Sequence, residues 1–227
     1  MNKMMLKKQY LMHNTKKKGG LPSRLPSGFQ EVEYIESTGT QYIDTLLNVS
    51  SGMRFVSDFK FTRGGTTRYN PIMGTQIDSY PWNGCFLRYT TEYNAFEFAG
   101  YINRIPISIG TKYNVDYTYT PTKLELRLDG VLKDQQTLNV SITDYSMYLM
   151  GFHNGGSHQI SFLAVYTAKF YINGELVREF IPCYRKSDNE VGLYDIVGNQ
   201  FYTNQGSGTF LKGADVWNTQ YLLTKMK

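Results

Sequence analysis

Residues 25–45 read Leu25-Pro-Ser-Gly-Phe-Gln-Glu-Val-Glu-Tyr-Ile-Glu-Ser-Thr-Gly-Thr-Gln-Tyr-Ile-Asp-Thr45, and this stretch decides the fold. The alternation that begins at Val32 predicts a strand in which Val32 and Ile35 face opposite sides. Ser37-Thr-Gly39 then predicts a turn, and residues 41–45 predict a second strand. A lysine-rich segment precedes this stretch and a long body rich in strand-forming residues follows it. The stretch therefore marks the boundary between two physically different parts of the chain.

The body downstream has the composition of a β protein. Aromatic residues make up 15% of the 227 residues, and 21 glycines supply turns. Residues 53–61 alternate with a predicted buried face, and Asp129-Gly130 and Asn173-Gly174 predict tight hairpins. No amphipathic helical pattern of convincing length occurs. We therefore predict an all-β fold, an antiparallel β-sandwich built as one large domain.

The charge pattern divides the chain. Residues 1–18 carry six lysines and no acidic residue, which leaves 18 basic against 19 acidic residues in the rest. We predict an extended basic N-terminal arm (1–20), a linker (21–28), the sandwich (29–216) and a C-terminal tail (217–227). Because the body is nearly neutral, nucleic-acid binding is not expected of it and is conceivable only through the arm.

Two blocks of sequence carry a family resemblance. The first is residues 25–45; the second comprises Lys169–Lys186, Val191–Asp195 and Phe201–Phe210. Together they resemble LamG-like domains of the concanavalin A-like jelly-roll class, which occur in phage and prophage structural proteins and in gut-bacterial surface proteins. The resemblance implies a jelly-roll topology. It implies little about function, because this fold hosts many functions.

The sequence offers little that favours catalysis or metal binding. No strand carries the acid pair that retaining glycosidases of this class place on alternate residues, so we predict a protein that is not an enzyme. His153 and His158 flank a glycine-rich loop and are expected to be solvated. Cys85 and Cys183 are expected to be buried free thiols. No cofactor is predicted. Some LamG-like domains bind calcium, for which Asp78, Asp129 and Asp144 are candidates by residue type alone.

An aromatic loop and the strand after it offer a candidate sugar site. Such sites combine an aromatic surface with a few polar groups. The candidate residues are Tyr80, Trp82, Asn83, Arg88 and Tyr89. The alternative is that Trp82 packs within the loop or the core. Glycan binding to a host surface is the function that this interpretation implies.

The arm suggests a different function. Its lysines would meet an acidic surface, and its methionines and leucines would fit an irregular apolar groove. The anchoring candidates are Lys3, Met4, Met5, Lys7, Lys8, Leu11, Met12, Lys16, Lys17 and Lys18. With the phage context of the resemblance, the main prediction is a virion structural protein of the capsid-decoration, fibre or tail-associated type, bound through residues 1–20 to other virion proteins. A homo-oligomer is left open.

The alternative is a carbohydrate-binding adhesion module that is secreted or displayed on a bacterial or phage surface. The chain has a charged start, but Lys7 and Lys8 interrupt the apolar run that a signal peptide needs, so a signal peptide is not expected. No membrane span is expected, because no apolar run approaches 18 residues.

Overall fold

The protein is described from a computed structural model, which covers residues 24–50, 52–64, 69–76, 84–92, 95–98, 101–120, 122–137, 144–155 and 158–216. The predicted arm and tail lie outside the described residues. So do three of the predicted sugar-site residues, Tyr80, Trp82 and Asn83, and the candidate calcium ligand Asp78.

The described residues form strands and no helix. None of them therefore builds a helix with the length and apolar character needed to cross a membrane. The strands are β1 (Phe29–Glu31), β2 (Ile35–Thr38), β3 (Ile43–Asn48), β4 (Met53–Phe61), β5 (Tyr69–Gln76), β6 (Gly84–Thr90), β7 (Ala95–Phe98), β8 (Tyr101–Pro106), β9 (Lys112–Tyr119), β10 (Leu124–Leu128), β11 (Val131–Gln136), β12 (Ser146–Leu149), β13 (Gly151–His153), β14 (His158–Ile160), β15 (Phe162–Ile172), β16 (Glu175–Arg185), β17 (Val191–Asp195), β18 (Gln200–Thr203) and β19 (Leu211–Lys212).

These strands form two sheets. The first has the order β11-β10-β9-β4-β15-β16-β17-β18, with β1 paired to β16, β2 to β15 and β19 to β2. The second has the order β14-β13-β5-β6-β7-β8, with β12 between β3 and β5. Pairing is antiparallel except for one parallel bridge between His153 and Thr75. The predicted all-β fold, an antiparallel β-sandwich, is confirmed.

The main core lies between the two sheets. On β4 every second residue from Phe55 to Phe61 is almost fully buried, as the alternation predicts. The ring of Phe61 lies 5.2 Å from that of Tyr89 on β6, which joins the sheets across the core. Burial of each such phenylalanine stabilises the fold by about 2 kcal/mol.

The opening stretch differs from its prediction in one respect. Val32 and Ile35 both lie in the main core, although regular alternation would place them on opposite faces. Strand β1 ends at Glu31 and β2 begins at Ile35, so the chain bends between them. The bend resets the alternation of side chains, which is why both residues are buried.

A second, smaller apolar cluster lies on the outer face of the first sheet. Leu25 covers Ile181, Cys183 and Tyr194, and Arg24 donates to Glu179 at 2.5 Å. Arg24 and Leu25 therefore contact the first sheet, and the predicted domain boundaries stay a prediction. Cys183 is a buried free thiol, as predicted, and burial raises its pKa to about 12.

The rest of that outer face, here called the ion-paired face, is covered by matched charges. Arg54 donates two hydrogen bonds of 2.7 Å to Asp116. Lys169 lies 3.1 Å from Glu179. Lys112 also lies over the ring of Tyr166 at 4.2 Å. The side chains of this face thus find their partners within the domain itself.

Candidate functional site

The outer face of the second sheet carries a stack of four aromatic rings, here called the aromatic column: Tyr42, Tyr148, His153 and Tyr145. Tyr42 and Tyr148 stack with centroids 4.5 Å apart. The His153 ring is nearly parallel to that of Tyr148 at 4.5 Å, and it stacks on that of Tyr145 at 4.7 Å with an angle of 29° between the ring planes. The column thus joins Tyr148 of β12 and His153 of β13 with Tyr42 and Tyr145, which immediately precede β3 and β12.

The column depends on an irregular residue between β12 and β13. Tyr148 and His153 are five positions apart, and an odd separation in a regular strand places two side chains on opposite faces. Met150 interrupts the strand with a φ of 64°. It is held there by hydrogen bonds from its N–H to the Ile72 carbonyl and from the Ser161 N–H to its own carbonyl. This break brings both rings to the same face.

A second irregular residue lies in β3, on the other side of Tyr148. Asp44 lies opposite Tyr148 and Asn48 opposite Ser146, so β3 contains two more residues than β12 over this interval. Leu46 lies in the bulge at a φ of 53° and is 60% exposed. Because Thr45 is buried and Leu47 packs on the core, the Leu46 side chain points outward.

These two residues are unusual for their type. Among the described residues, six that are not glycine have positive φ, and four of those are asparagine or aspartate. Such residues tolerate the left-handed region, whereas leucine and methionine pay about 1–2 kcal/mol there. Local strain of this kind is retained mainly where function requires the geometry. Both strained residues, Leu46 and Met150, flank Tyr148.

Exposure increases along the column. Tyr42 and Tyr148 are 8% and 6% exposed, whereas Tyr145 is 37% exposed. Burial raises the pKa of Tyr148 above its usual range, and Tyr42 and Asp44 raise it further. The column therefore has a buried, neutral base and an exposed end ring.

His153 contacts the backbone of the segment that carries the column. Its Nδ1 lies 3.3 Å from the carbonyl oxygen of Ser146. A carbonyl only accepts, so a hydrogen bond here requires a proton on Nδ1. The prediction that His153 is a solvated loop residue is wrong, because it lies half-buried between two tyrosine rings.

The predicted sugar-site residues that the structure describes are placed differently from one another. Tyr89 is 4% exposed in the core against Phe61, so the prediction that it contacts a sugar is wrong. Arg88 alternates with it and lies on the outer face, where its guanidinium carbon is 3.7 Å from the Tyr69 ring centroid. Arg88 thus shares a face with the aromatic column, but is itself only 9% exposed.

Two of the three candidate calcium ligands, Asp129 and Asp144, lie within the described residues. The Asp129 carboxylate accepts the Asn114 N–H at 2.8 Å and holds the β10–β11 turn. Asp144 is exposed at the start of the segment that leads to β12. Within the part of the chain that the structure covers, no three acidic, histidine or cysteine residues cluster as a metal site would require. Calcium binding stays a prediction.

Comparisons with known proteins give structural similarity only. No family model matches the chain, and no curated protein matches it in sequence. A Trypanosoma rangeli sialidase in complex with sialic acid matches with a TM-score of 0.48 and 12% identity over 74% of this chain. A Bacillus subtilis carbohydrate-binding module, CBM66, matches with 0.38 and 14% over 64% of this chain and 92% of its own. Mouse laminin α1 domains LG4-5 match with 0.39 and 11% over 72% of this chain and 47% of that chain.

These similarities concern the β-sandwich and transfer no site to this chain. The chain spans 35% of that sialidase chain and between 20% and 36% of the other sialidase chains that it matches. The prediction that the protein is not an enzyme is nevertheless contradicted, because sialidases are among the structural matches.

Proposed function

We propose that this chain is a carbohydrate-binding module and that the aromatic column is its ligand-binding surface. The observation that carries the proposal is the stacked column itself, which ends in the exposed ring of Tyr145 and is maintained by two strained residues. Sugar rings present apolar C–H faces that pack on aromatic rings, while a few polar groups fix their orientation.

Polar groups of the right kind flank the column. The half-buried carboxylate of Asp44, opposite Tyr148, accepts the Leu46 N–H at 2.9 Å. A carboxylate has further lone pairs that can accept hydrogen bonds from sugar hydroxyls. Because Asp44 is an anion, the surface favours neutral glycans over acidic ones.

The experiment is a glycan array followed by calorimetric titration of the full chain. Tyr145→Ala and His153→Ala should each weaken binding about tenfold or more, since each removes part of the stacking surface. The matched control is Tyr166→Ala, which removes a half-buried tyrosine from the ion-paired face. Equal affinities for all four proteins, or no bound glycan, would refute the proposal.

A second candidate function is carried by the six lysines of residues 1–18. In this proposal the arm anchors the sandwich to a phage particle, and the column faces outward towards glycans of a bacterial surface. Deletion of residues 1–20 should leave a folded protein that no longer co-purifies with particles. A truncated protein that still co-purifies would exclude the arm as the anchor. The alternative location, on a bacterial surface or secreted, requires no particle.

A further inference from the structure

Leu46 is an exposed apolar side chain in a costly backbone conformation. Three hydrogen bonds hold its turn: the Leu46 N–H to Asp44, the Leu47 N–H to the Thr45 hydroxyl, and the Thr45 hydroxyl to the Met147 carbonyl. Glycine or asparagine would adopt this conformation with less strain. The leucine side chain gains little from the fold in return, because it is 60% exposed.

The turn also fixes which polar group lies beside the leucine. Asp44 Oδ1 accepts the Leu46 N–H at 2.9 Å, so the carboxylate and the isobutyl group border the same part of the surface. Asp44 is paired with Tyr148 and Asn48 with Ser146, the residue after Tyr145, so Leu46 lies in the bulge between these two pairs. The strand that carries the anionic acceptor and the exposed apolar side chain is therefore the one that pairs with the segment carrying Tyr145 and Tyr148.

This combination suits an acetamido group. Its N–H needs an acceptor, its methyl group needs an apolar contact, and the sugar ring that carries it needs an aromatic surface. A plain hydroxyl at the same position would satisfy the carboxylate but leave Leu46 exposed. A carboxylated sugar would be repelled by Asp44.

We propose that the aromatic column binds N-acetylated, uncharged hexosamines. The methyl group of the acetamido substituent packs on Leu46, and the N–H of the same substituent donates to Asp44. This inference rests on the proposed function and names its ligand class. Leu46 thereby becomes a specificity-determining residue, and its strained conformation is explained by contact with the ligand.

The test compares tetra-N-acetylchitotetraose, here called chitotetraose, with cellotetraose. The two tetramers share a backbone, and only the first carries acetamido groups. The full-length wild-type chain should bind chitotetraose roughly tenfold more tightly, the effect of one well-packed methyl-sized group. Leu46→Gly and Leu46→Asn should lose this preference while retaining cellotetraose binding. Leu46→Gly should also unfold at a higher temperature, because glycine adopts the turn without strain. Leu211→Asn, which alters a 52% exposed leucine on the first sheet, is the control.

Two outcomes separate this inference from the function on which it rests. A wild-type chain that binds both tetramers equally, or Leu46 variants that keep the preference, would overturn the acetamido assignment and leave glycan binding intact. Binding only to array glycans that lack an N-acetyl group would also overturn the acetamido assignment. Such glycans include those whose methyl group belongs to a 6-deoxyhexose. Absence of any bound glycan would instead remove the proposed function itself.

Discussion

The two outer faces of the sandwich are built from similar residue types and are organised in opposite ways. On the ion-paired face, Lys112 lies over the ring of Tyr166 and pairs with Asp58. Arg54 likewise lies over the ring of Tyr171 and pairs with Asp116. On the second sheet, tyrosines stack on one another and on His153. The ion-paired face uses its aromatic rings to support charges. The second sheet has such a contact between Arg88 and Tyr69, and it also gathers four rings into the aromatic column.

The difference teaches where to look for a ligand. A face whose charges and rings are already partnered gains little from an added molecule. A column that ends in an exposed ring offers area that a ligand can cover, and the strain at Leu46 and Met150 shows that its geometry is maintained at a cost. The following predictions change one face at a time.

The largest effect is expected from truncation within the column. Tyr148→Ala should lower the free energy of unfolding by about 3 kcal/mol, because it removes a buried ring stacked on both sides. Tyr166→Ala on the ion-paired face should cost only about 1 kcal/mol, since that ring is partly exposed. Urea unfolding of both variants measures the difference. Similar losses would mean that the column is no better packed than the opposite face.

A glycine beside the column allows backbone strain to be separated from ligand contact. Gly155 has a φ of +79°, and a Cβ there would lie 2.6 Å from the Tyr145 hydroxyl oxygen. Gly155→Ala should cost about 1 kcal/mol of stability and, by displacing Tyr145, weaken glycan binding several-fold. Gly130→Ala, at a φ of +78° with open space, should cost a similar free energy and leave binding unchanged. Titration calorimetry and thermal unfolding of the pair test this, and equal binding would show that the Tyr145 position is unimportant.

Two groups, Glu179 on the ion-paired face and Tyr148 in the aromatic column, should respond to opposite ends of the pH scale. Burial opposes ionisation of Glu179, but its hydrogen bonds with Arg24 and Lys169 outweigh burial and lower its pKa. Its contribution is present above pH 4.5 and is lost as pH falls below that value. Burial raises the pKa of Tyr148, so its contribution is present below pH 10 and is lost as pH rises further.

Urea midpoints measured across the pH range would show this contrast. Glu179→Gln should flatten the acid decline alone, and Tyr148→Phe the alkaline decline alone. If either variant changed both limbs, the assignment of the acid effect to Glu179 and of the alkaline effect to Tyr148 would be incorrect.

The smallest effect is expected on the ion-paired face. Arg54→Ala removes the paired hydrogen bonds to Asp116, yet an exposed pair of this kind contributes less than about 1 kcal/mol and less at high salt. Glycan binding should not change. A loss of binding in this variant would place the ligand on the first sheet and refute the proposed site.

Regular features of the fold could be predicted from the sequence. The alternation of β4 and the Asn173-Gly174 hairpin are confirmed, because a buried face and a tight turn impose local residue patterns. Pro182 lies inside β16 opposite Leu193, although proline removes a backbone donor from a strand. There the neighbouring strand changes from β15 to β1, so a missing N–H is tolerated.

The candidate site could not be predicted in the same way. Tyr148 and His153 have the wrong spacing for one face, and only the left-handed turn at Met150 brings them together. A residue pattern does not reveal positive φ at a leucine or a methionine, because neither residue type favours it. Tyr89 is the opposite case. The sequence made it a candidate sugar-site residue, but its alternation with Arg88 places its side chain in the core.

The position of Arg24 and Leu25 has a practical consequence for measurement. Both residues lie over the first sheet, on the side of the sandwich away from the aromatic column. A capture tag attached ahead of residue 24 should therefore hold the protein on a sensor chip with the column turned towards the flowing solution. Random coupling through surface amines would orient the molecules in every direction, and a fraction of the columns would face the matrix. The ratio of active to immobilised protein under the two coupling chemistries would report directly which way this sandwich faces.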